Sequence, residues 1–158
     1  MNLYEIKFCS MFLCIEDDPG TATLVLEHLE NAGYDLTHVY DGESGLAETY
    51  IQQFDVVLID YILPNMSGIE VIRSLHKDNE FSPATILVSG AADERLAVQA
   101  MKAGADDYVV KDVNGQYINL LVEVIGQGLK NRELKLVQNR LLRTHTNNGK
   151  DAVALYRR

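Results

Sequence analysis

Short apolar runs at MFLCI (11–15), THVY (37–40), DVVLI (55–59), ATILV (84–88) and DYVV (107–110) alternate with stretches of helical periodicity. No other feature of the chain restricts its fold as strongly. Runs this short, rich in β-branched residues, suit strands buried on both faces, as in a parallel sheet. Between them lie TATLVLEHLENAG with Leu24, Leu26 and Leu29, ESGLAETYIQQ, SGIEVIRSLHKD with Ile69, Ile72 and Leu75, and DERLAVQAMKAG with Leu96, Ala100 and Met101. Ser67 and Asp93 stand where helices start, and Gly33 and Gly104 where they stop. Five strands, each followed by a helix, predict an α/β fold with a parallel sheet covered on both sides.

The fifth helical stretch starts near Gln116 and overruns. YINLLVEVIGQGLKNRELKLVQNRLLRT predicts a helix of about 27 residues, roughly 40 Å long. Gly126 and Gly128 each cost about 1 kcal/mol relative to Ala and mark a point where it can break or kink. Beyond Thr144, HTNNGKDAVALYRR is polar with a turn signal at Asn148-Gly149, and is expected to fray. The chain therefore divides into an N-terminal extension (1–10), one α/β domain (11–128) and a helical linker or tail (129–158).

Charge separates the same regions. Residues 1–115 carry 20 acids and 6 Lys/Arg, a balance of −14, whereas residues 116–158 carry 3 acids and 8 Lys/Arg, a balance of +5. The overall net charge of −9 argues against nucleic acid as the main partner. No apolar stretch approaches the roughly 20 residues that span a bilayer, and KFCSMFLCIEDD lacks a cleavage pattern, so a cytoplasmic protein is expected. Cys9 and Cys14 have no Cys or His partners at zinc-site spacing and read as buried thiols.

In an open parallel sheet, ligands bind outside the carboxyl ends of the strands. The first apolar run ends in Glu16-Asp17-Asp18, the third in Asp60, the fourth in Ser89 and the fifth in Lys111. Carboxylates gathered at one edge repel unless a cation neutralises them, and an all-oxygen set suits a hard divalent ion such as Mg²⁺. A lysine and a hydroxyl beside them can hydrogen-bond phosphoryl oxygens, the setting for phosphoryl transfer. Asp60, alone after four apolar residues, is the natural nucleophile, forming an acyl phosphate.

IEDD with Glu16 and Asp17, LIDYILPNMSG around Asp60, VSGAAD with Ser89 and AGADDYVVK with Lys111 occur in this order, each at its own strand end. In these motifs, residues about 11 to 125 resemble the receiver domain of two-component response regulators, the chemotaxis-like type. The resemblance implies a flavodoxin-like, doubly wound, five-stranded parallel sheet in the order 2-1-3-4-5 with five helices, the last extended. It implies that Asp60 accepts a phosphoryl group, with Mg²⁺, from a sensor histidine kinase or phosphotransfer protein. Asp17 and Asp60 would bind the metal directly, Glu16 directly or through water, and the backbone carbonyl of Ile62 would complete the protein ligands. Lys111, Ser89 and the backbone N–H of Gly90 would hold the phosphoryl group. Ser89 and Tyr108 would form the switch, acting through the face built from the fourth helix, fifth strand and fifth helix. The chain would catalyse its own phosphoryl transfer and slow self-dephosphorylation, with no independent output activity.

Two places depart from the family pattern. Asp112 stands where most receivers carry a proline joined to the lysine by a cis bond, so the Lys111–Asp112 bond is either trans or held at a strain of roughly 2.5–4 kcal/mol. Ile62 and Ala91 are apolar where neighbouring side chains would orient the attacking water, which predicts slow self-dephosphorylation. The KDVNGQYINLLVEVI stretch is similar to receivers fused in front of sensory or signalling modules. The alternative reading is the N-terminal part of a multidomain signalling enzyme, a hybrid kinase or cyclic-dinucleotide protein.

Other readings fit less well. An aspartate-nucleophile phosphatase needs a second acid where Ile62 stands, and a flavin-binding protein needs a Ser/Thr-rich loop where Glu16-Asp17-Asp18 stands. After position 115 only 43 residues remain, mostly helical, which leaves no room for a separate DNA-binding domain. His28, His38, His76 and His145 read as exposed or structural, and GQGLKN at 126–131 fails the dinucleotide pattern. Leu134, Val137 and Leu141 are spaced 3 and 4 apart, the spacing of a helical seam for a homodimer or a second domain.

Overall fold

A computed structural model describes residues 10–77 and 82–155, with side chains described as far as His145. Cys9 and nearly all of the expected N-terminal extension lie outside the described residues. The elements run β1 (Met11–Ile15), α1 (Pro19–Asn31), β2 (Asp35–Val39), α2 (Gly42–Ile51), β3 (Val56–Asp60), α3 (Gly68–His76), β4 (Ala84–Ser89), α4 (Glu94–Ala103), β5 (Asp107–Val110) and α5 (Tyr117–Leu155). All strand pairs are parallel and the sheet order is β2-β1-β3-β4-β5, as the resemblance implies.

The strand periodicity of two divides the core between the two faces of the sheet. Phe12, Cys14, Val56, Leu58, Ile86 and Val109 point to one side, where Val25 and Leu29 of α1 and Tyr117, Leu121 and Ile125 of α5 cover them. Leu13, Ile15, Val57, Ile59 and Leu87 point to the other, beneath α3 and α4. Helix starts follow the local chemistry. Asp18, Asp41 and Asp93 cap α1, α2 and α4, and Ser67 caps α3 in a reciprocal capping box with Glu70. Gly104 ends α4 with φ 113°, a left-handed conformation that glycine adopts without penalty.

Several boundaries differ from the sequence reading, three of them with consequences. β2 spans 35–39 rather than 37–40, because this edge strand is only half-buried and its register follows pairing with β1. β3 includes Asp60, which pairs with Val88 instead of lying beyond the strand. α5 continues unbroken through Gly126 and Gly128 and past Thr144 to Leu155, 39 residues or about 60 Å. Gly128 faces the sheet, where a β-carbon would stand 3.4 Å from that of Ala84, in ordinary contact with it. Farther along, Arg132 pairs with Asp55 at 2.8 Å and Lys135 with Asp106 at 3.2 Å. The charge asymmetry of the sequence is thus partly an internal one, tying the basic helix to the acidic body. Among the described residues, no helix is long and apolar enough to cross a membrane.

Candidate functional site

The chain leaves β1 toward one side of the sheet, into α1 and β2, and later crosses to β3 on the other. Such a switch point opens a crevice at the carboxyl ends of β1 and β3. Glu16 follows β1 there and is buried, while Asp17 beside it is exposed. Asp60 closes β3, after Val56, Val57, Leu58 and Ile59, all buried. Carboxylate oxygens of Glu16, Asp17 and Asp60 lie within 4.8 Å of one another. Lys111, just past β5, reaches in from the far side, its Nζ 2.7 Å from Glu16 and 3.3 Å from Asp60.

The electrostatics follow from this crowding. Burial, and then the negative charge of Glu16, push the Asp60 carboxyl from 3.8 up to about 6, against the opposing pull of Lys111. Burial draws the Lys111 ammonium down, but the hydrogen bond to Glu16 and the charges of Asp60 and Glu16 outweigh it and hold Lys111 above its ordinary value. Cys14, beneath the acids, is pushed up to about 12 by burial first and Glu16 second, so it stays a neutral thiol. A carboxylate that resists ionisation beside two other acids is a donor set short of positive charge. With hard oxygen ligands only, it fits a divalent ion such as Mg²⁺.

This has a measurable consequence in the metal-free protein. Because the folded-state value of Asp60 lies above the ordinary 3.8, its contribution to stability is complete below about pH 4 and lost as the pH rises through about 6. In chelator, the Asp60→Asn protein should therefore gain thermal midpoint relative to wild type as the pH rises from about 4 to about 6.5. A constant difference across that range would show that Asp60 is not destabilised by its neighbours.

The remaining strand ends complete the pocket. Ser89 is buried at the end of β4, where its Oγ accepts the N–H of Ala91 at 3.1 Å and its carbonyl accepts the N–H of Lys111 at 2.8 Å. Gly90 is exposed beside it, with nothing within 4 Å of where a β-carbon would stand. The Tyr108 hydroxyl donates to the carbonyl of Ala91, so Ser89 holds this residue by its N–H and Tyr108 by its carbonyl. After Asp60 the chain turns back, with Tyr61 N–H bonded to Val88 and Gly68 N–H to Tyr61, each at 2.9 Å. Ile62 sits in this turn with its side chain 72% exposed.

Comparison with known proteins agrees with this geometry. Residues 12–123 match the family model described as the response regulator receiver domain. This chain belongs to that family. It is 34% identical over 99 residues to the response regulator ArlR of Staphylococcus saprophyticus, covering 63% of this chain and 44% of the relative. It is 31% identical over 132 residues to a cyclic di-GMP phosphodiesterase of Thermotoga maritima, covering 84% of this chain and 34% of the relative. The chain thus spans less than half the length of these curated relatives. A CheY-like receiver from Methanospirillum hungatei superposes with a TM-score of 0.72 at 30% identity, covering 80% of this chain and 98% of the other.

The receiver's fold brings Glu16, Asp17, Asp60 and Lys111 together, leaves Ile62, Ser89, Gly90 and Tyr108 on the neighbouring loops and strands, and adds groups that the sequence did not reveal. His38 Nε2 lies 2.9 Å from the carbonyl of Glu16, and the Asp18 N–H donates to Glu16 Oε1 at 3.0 Å, so the buried acid is held from both ends. Of the acids, Glu16 is nearer to Lys111 than Asp60 is. The Lys111–Asp112 bond is trans. The His38 and Lys111 contacts carry no motif, since each depends on residues meeting across strands.

Proposed function

We propose that the receiver accepts a phosphoryl group on Asp60 from the phosphohistidine of a sensor histidine kinase or phosphotransfer protein. The observation that carries this reading is the position of Asp60, a strand-end carboxylate flanked by Glu16 and Asp17 and 3.3 Å from a lysine ammonium. An Asp60 oxygen attacks phosphorus, the phosphorus–nitrogen bond breaks, and the departing imidazole keeps the electron pair. Asp17, Asp60, Glu16 directly or through water, and the Ile62 carbonyl would hold Mg²⁺, which would supply neutralisation of the phosphoryl oxygens. Lys111, the Ser89 hydroxyl and the Gly90 N–H supply hydrogen bonds to them. Incubation with acetyl phosphate and Mg²⁺ tests this. One hydroxylamine-labile phosphoryl group should appear on the intact protein, and its absence would overturn the reading.

The same contacts support a switch. Turning the Ser89 hydroxyl toward a phosphoryl group releases the Ala91 N–H, and the Tyr108 hydroxyl is bonded to the carbonyl of that residue. A change at Asp60 thereby reaches the α4–β5–α5 face. Leu134, Val137 and Leu141 remain 61%, 48% and 57% exposed on α5, an apolar seam that favours pairing with a second copy. The absence of a candidate membrane span among the described residues accords with a cytoplasmic location.

Ile62 governs how long the phosphoryl group lasts. Its exposed apolar side chain beside Asp60 cannot orient water. Ile62→Asn, with an amide that hydrogen-bonds water, should speed phosphate loss about tenfold. Measured decay of the labelled protein decides it, and an unchanged lifetime would remove Ile62 from the water path.

A further inference from the structure

Asp112, the residue directly after Lys111, makes two local bonds unlike those of the other capping acids. Its carboxylate Oδ1 accepts the N–H of Tyr117, the first residue of α5, at 2.8 Å and five residues away. Asp18, Asp41 and Asp93 reach only two or three residues forward, to Thr21, Ser44 and Arg95. The longer reach spans a loop, Val113 to Gln116, whose other bonds run forward into the helix, from the Ile118 N–H to the Gly115 carbonyl at 3.3 Å and from the Asn119 N–H to the Gln116 carbonyl at 3.1 Å. Val113 and Asn114 are exposed, and the loop's internal bond, from Gly115 N–H at 3.2 Å, goes to the carbonyl of the same Asp112. Gly115 takes φ 71°, which lets the chain turn back toward the helix.

Lys111 is therefore fixed from two sides. Upstream, its own N–H is bonded to the Ser89 carbonyl at 2.8 Å. Downstream, the chain leaves it into a loop tied back to its first residue, Asp112, by that residue's carbonyl and carboxylate. The helix start held by that carboxylate is also a wall of the pocket. The Tyr117 ring is buried and, with Cys14, Glu16, Asp60 and Lys111, lines a cavity of about 20 Å³ beneath the acids. A change in how α5 begins alters the support of the lysine itself.

We infer that Asp112 is a positioning residue for the phosphoryl clamp: by bridging from Lys111 to the first turn of α5, its carboxylate sets where the Lys111 ammonium stands over Asp60. This rests on the assignment of Asp60 and Lys111 to the phosphoryl site. It gives this receiver a hydrogen-bonded anchor at a position that would otherwise only continue the loop. It also joins the phosphoryl site to the origin of the long helix.

The test separates phosphoryl binding from metal binding, because Lys111 touches the first and opposes the second. Titration calorimetry would measure Mg²⁺ alone, then beryllofluoride at saturating Mg²⁺, on wild type, Asp112→Asn and Asp112→Ala. The alanine variant should bind beryllofluoride about fivefold to tenfold more weakly, the scale of one lost capping bond. Its Mg²⁺ affinity should be unchanged or tighter, since a displaced cation cannot weaken a cation site. Asp112→Asn, which keeps an oxygen acceptor, should stay within about twofold of wild type in both.

Equal beryllofluoride affinity in wild type and Asp112→Ala would overturn the inference while leaving Asp60 as acceptor. A parallel loss of Mg²⁺ and beryllofluoride binding would also overturn it, as general loss of structure. An Asn variant as weak as Ala would remove the hydrogen bond as the cause and overturn it too. Failure of wild type to bind beryllofluoride with Mg²⁺ would overturn the phosphoryl-site reading, and this inference with it.

Discussion

Asp60→Asn should lower labelling by acetyl phosphate at least about a hundredfold, because a carboxamide oxygen is not a competent phosphoryl acceptor. The substitution is close to isosteric and leaves the pocket standing. Lys111 keeps its nearer partner, Glu16, at 2.7 Å, and the strand pairing of Asp60 with Val88 runs through backbone that the substitution does not touch. Loss of labelling with a cooperative unfolding transition would therefore be a loss of chemistry, not of fold. Intact mass after incubation with Mg²⁺ measures it, and equal labelling of both proteins would move the acceptor elsewhere. Chromatographic size, followed in parallel, reports on the apolar seam of α5. A change confined to wild type would make pairing dependent on the phosphoryl group.

The largest effect on stability is expected at a residue with no side chain. Gly68 opens α3 directly after its Ser67 cap and donates its N–H to the carbonyl of Tyr61 at 2.9 Å. A β-carbon there would stand 2.4 Å from the backbone oxygen of Asp60 and 2.8 Å from Cδ1 of Leu87. Neither neighbour can yield cheaply, since one is main chain at the end of a central strand and the other is fully buried. Gly68→Ala should cost about 2–3 kcal/mol, as overpacking does, and lower the melting midpoint by roughly 5–10 °C. It should also slow labelling, because the atom displaced belongs to Asp60. Gly126→Ala is the matched control. Nothing lies within 4 Å of its would-be β-carbon, and it sits within a helix, so it should be neutral or gain up to about 1 kcal/mol. An unchanged midpoint for Gly68→Ala would show that the turn after β3 has room to open.

Much of the fold was legible because its signals are local. Ser67, Asp93 and Gly104 mark helix ends through their own side chains or lack of one, and each does so in the structure. The apolar runs of β1, β3, β4 and β5 are long enough in buried residues to stand out. β2 was misplaced by two residues because an edge strand with a half-buried pattern advertises itself weakly. α5 does not break where Gly126 and Gly128 would allow it, because about 1 kcal/mol per glycine is small beside the packing of Leu121 and Ile125 on the sheet and the pairing of Arg132 and Lys135 with the body.

The sequence by itself determined the alternation of strand and helix, and with it the delivery of Glu16, Asp17, Asp60, Ser89 and Lys111 to one edge of a parallel sheet. Strand direction and period follow from residues near in sequence, so a single chain suffices to read them. Only the tertiary structure decided which of those groups touch. Lys111 lies 95 positions from Glu16 and rests against it more closely than against Asp60. Arg132 reaches 77 positions back to Asp55 and holds α5 along the body. Asp112, which no local rule explained, turned out to carry the start of that helix. Such pairings are set by strand register and helix packing, to which distant residues contribute jointly. Differences of half an ångström in them decide whether two charges share a hydrogen bond or only a field.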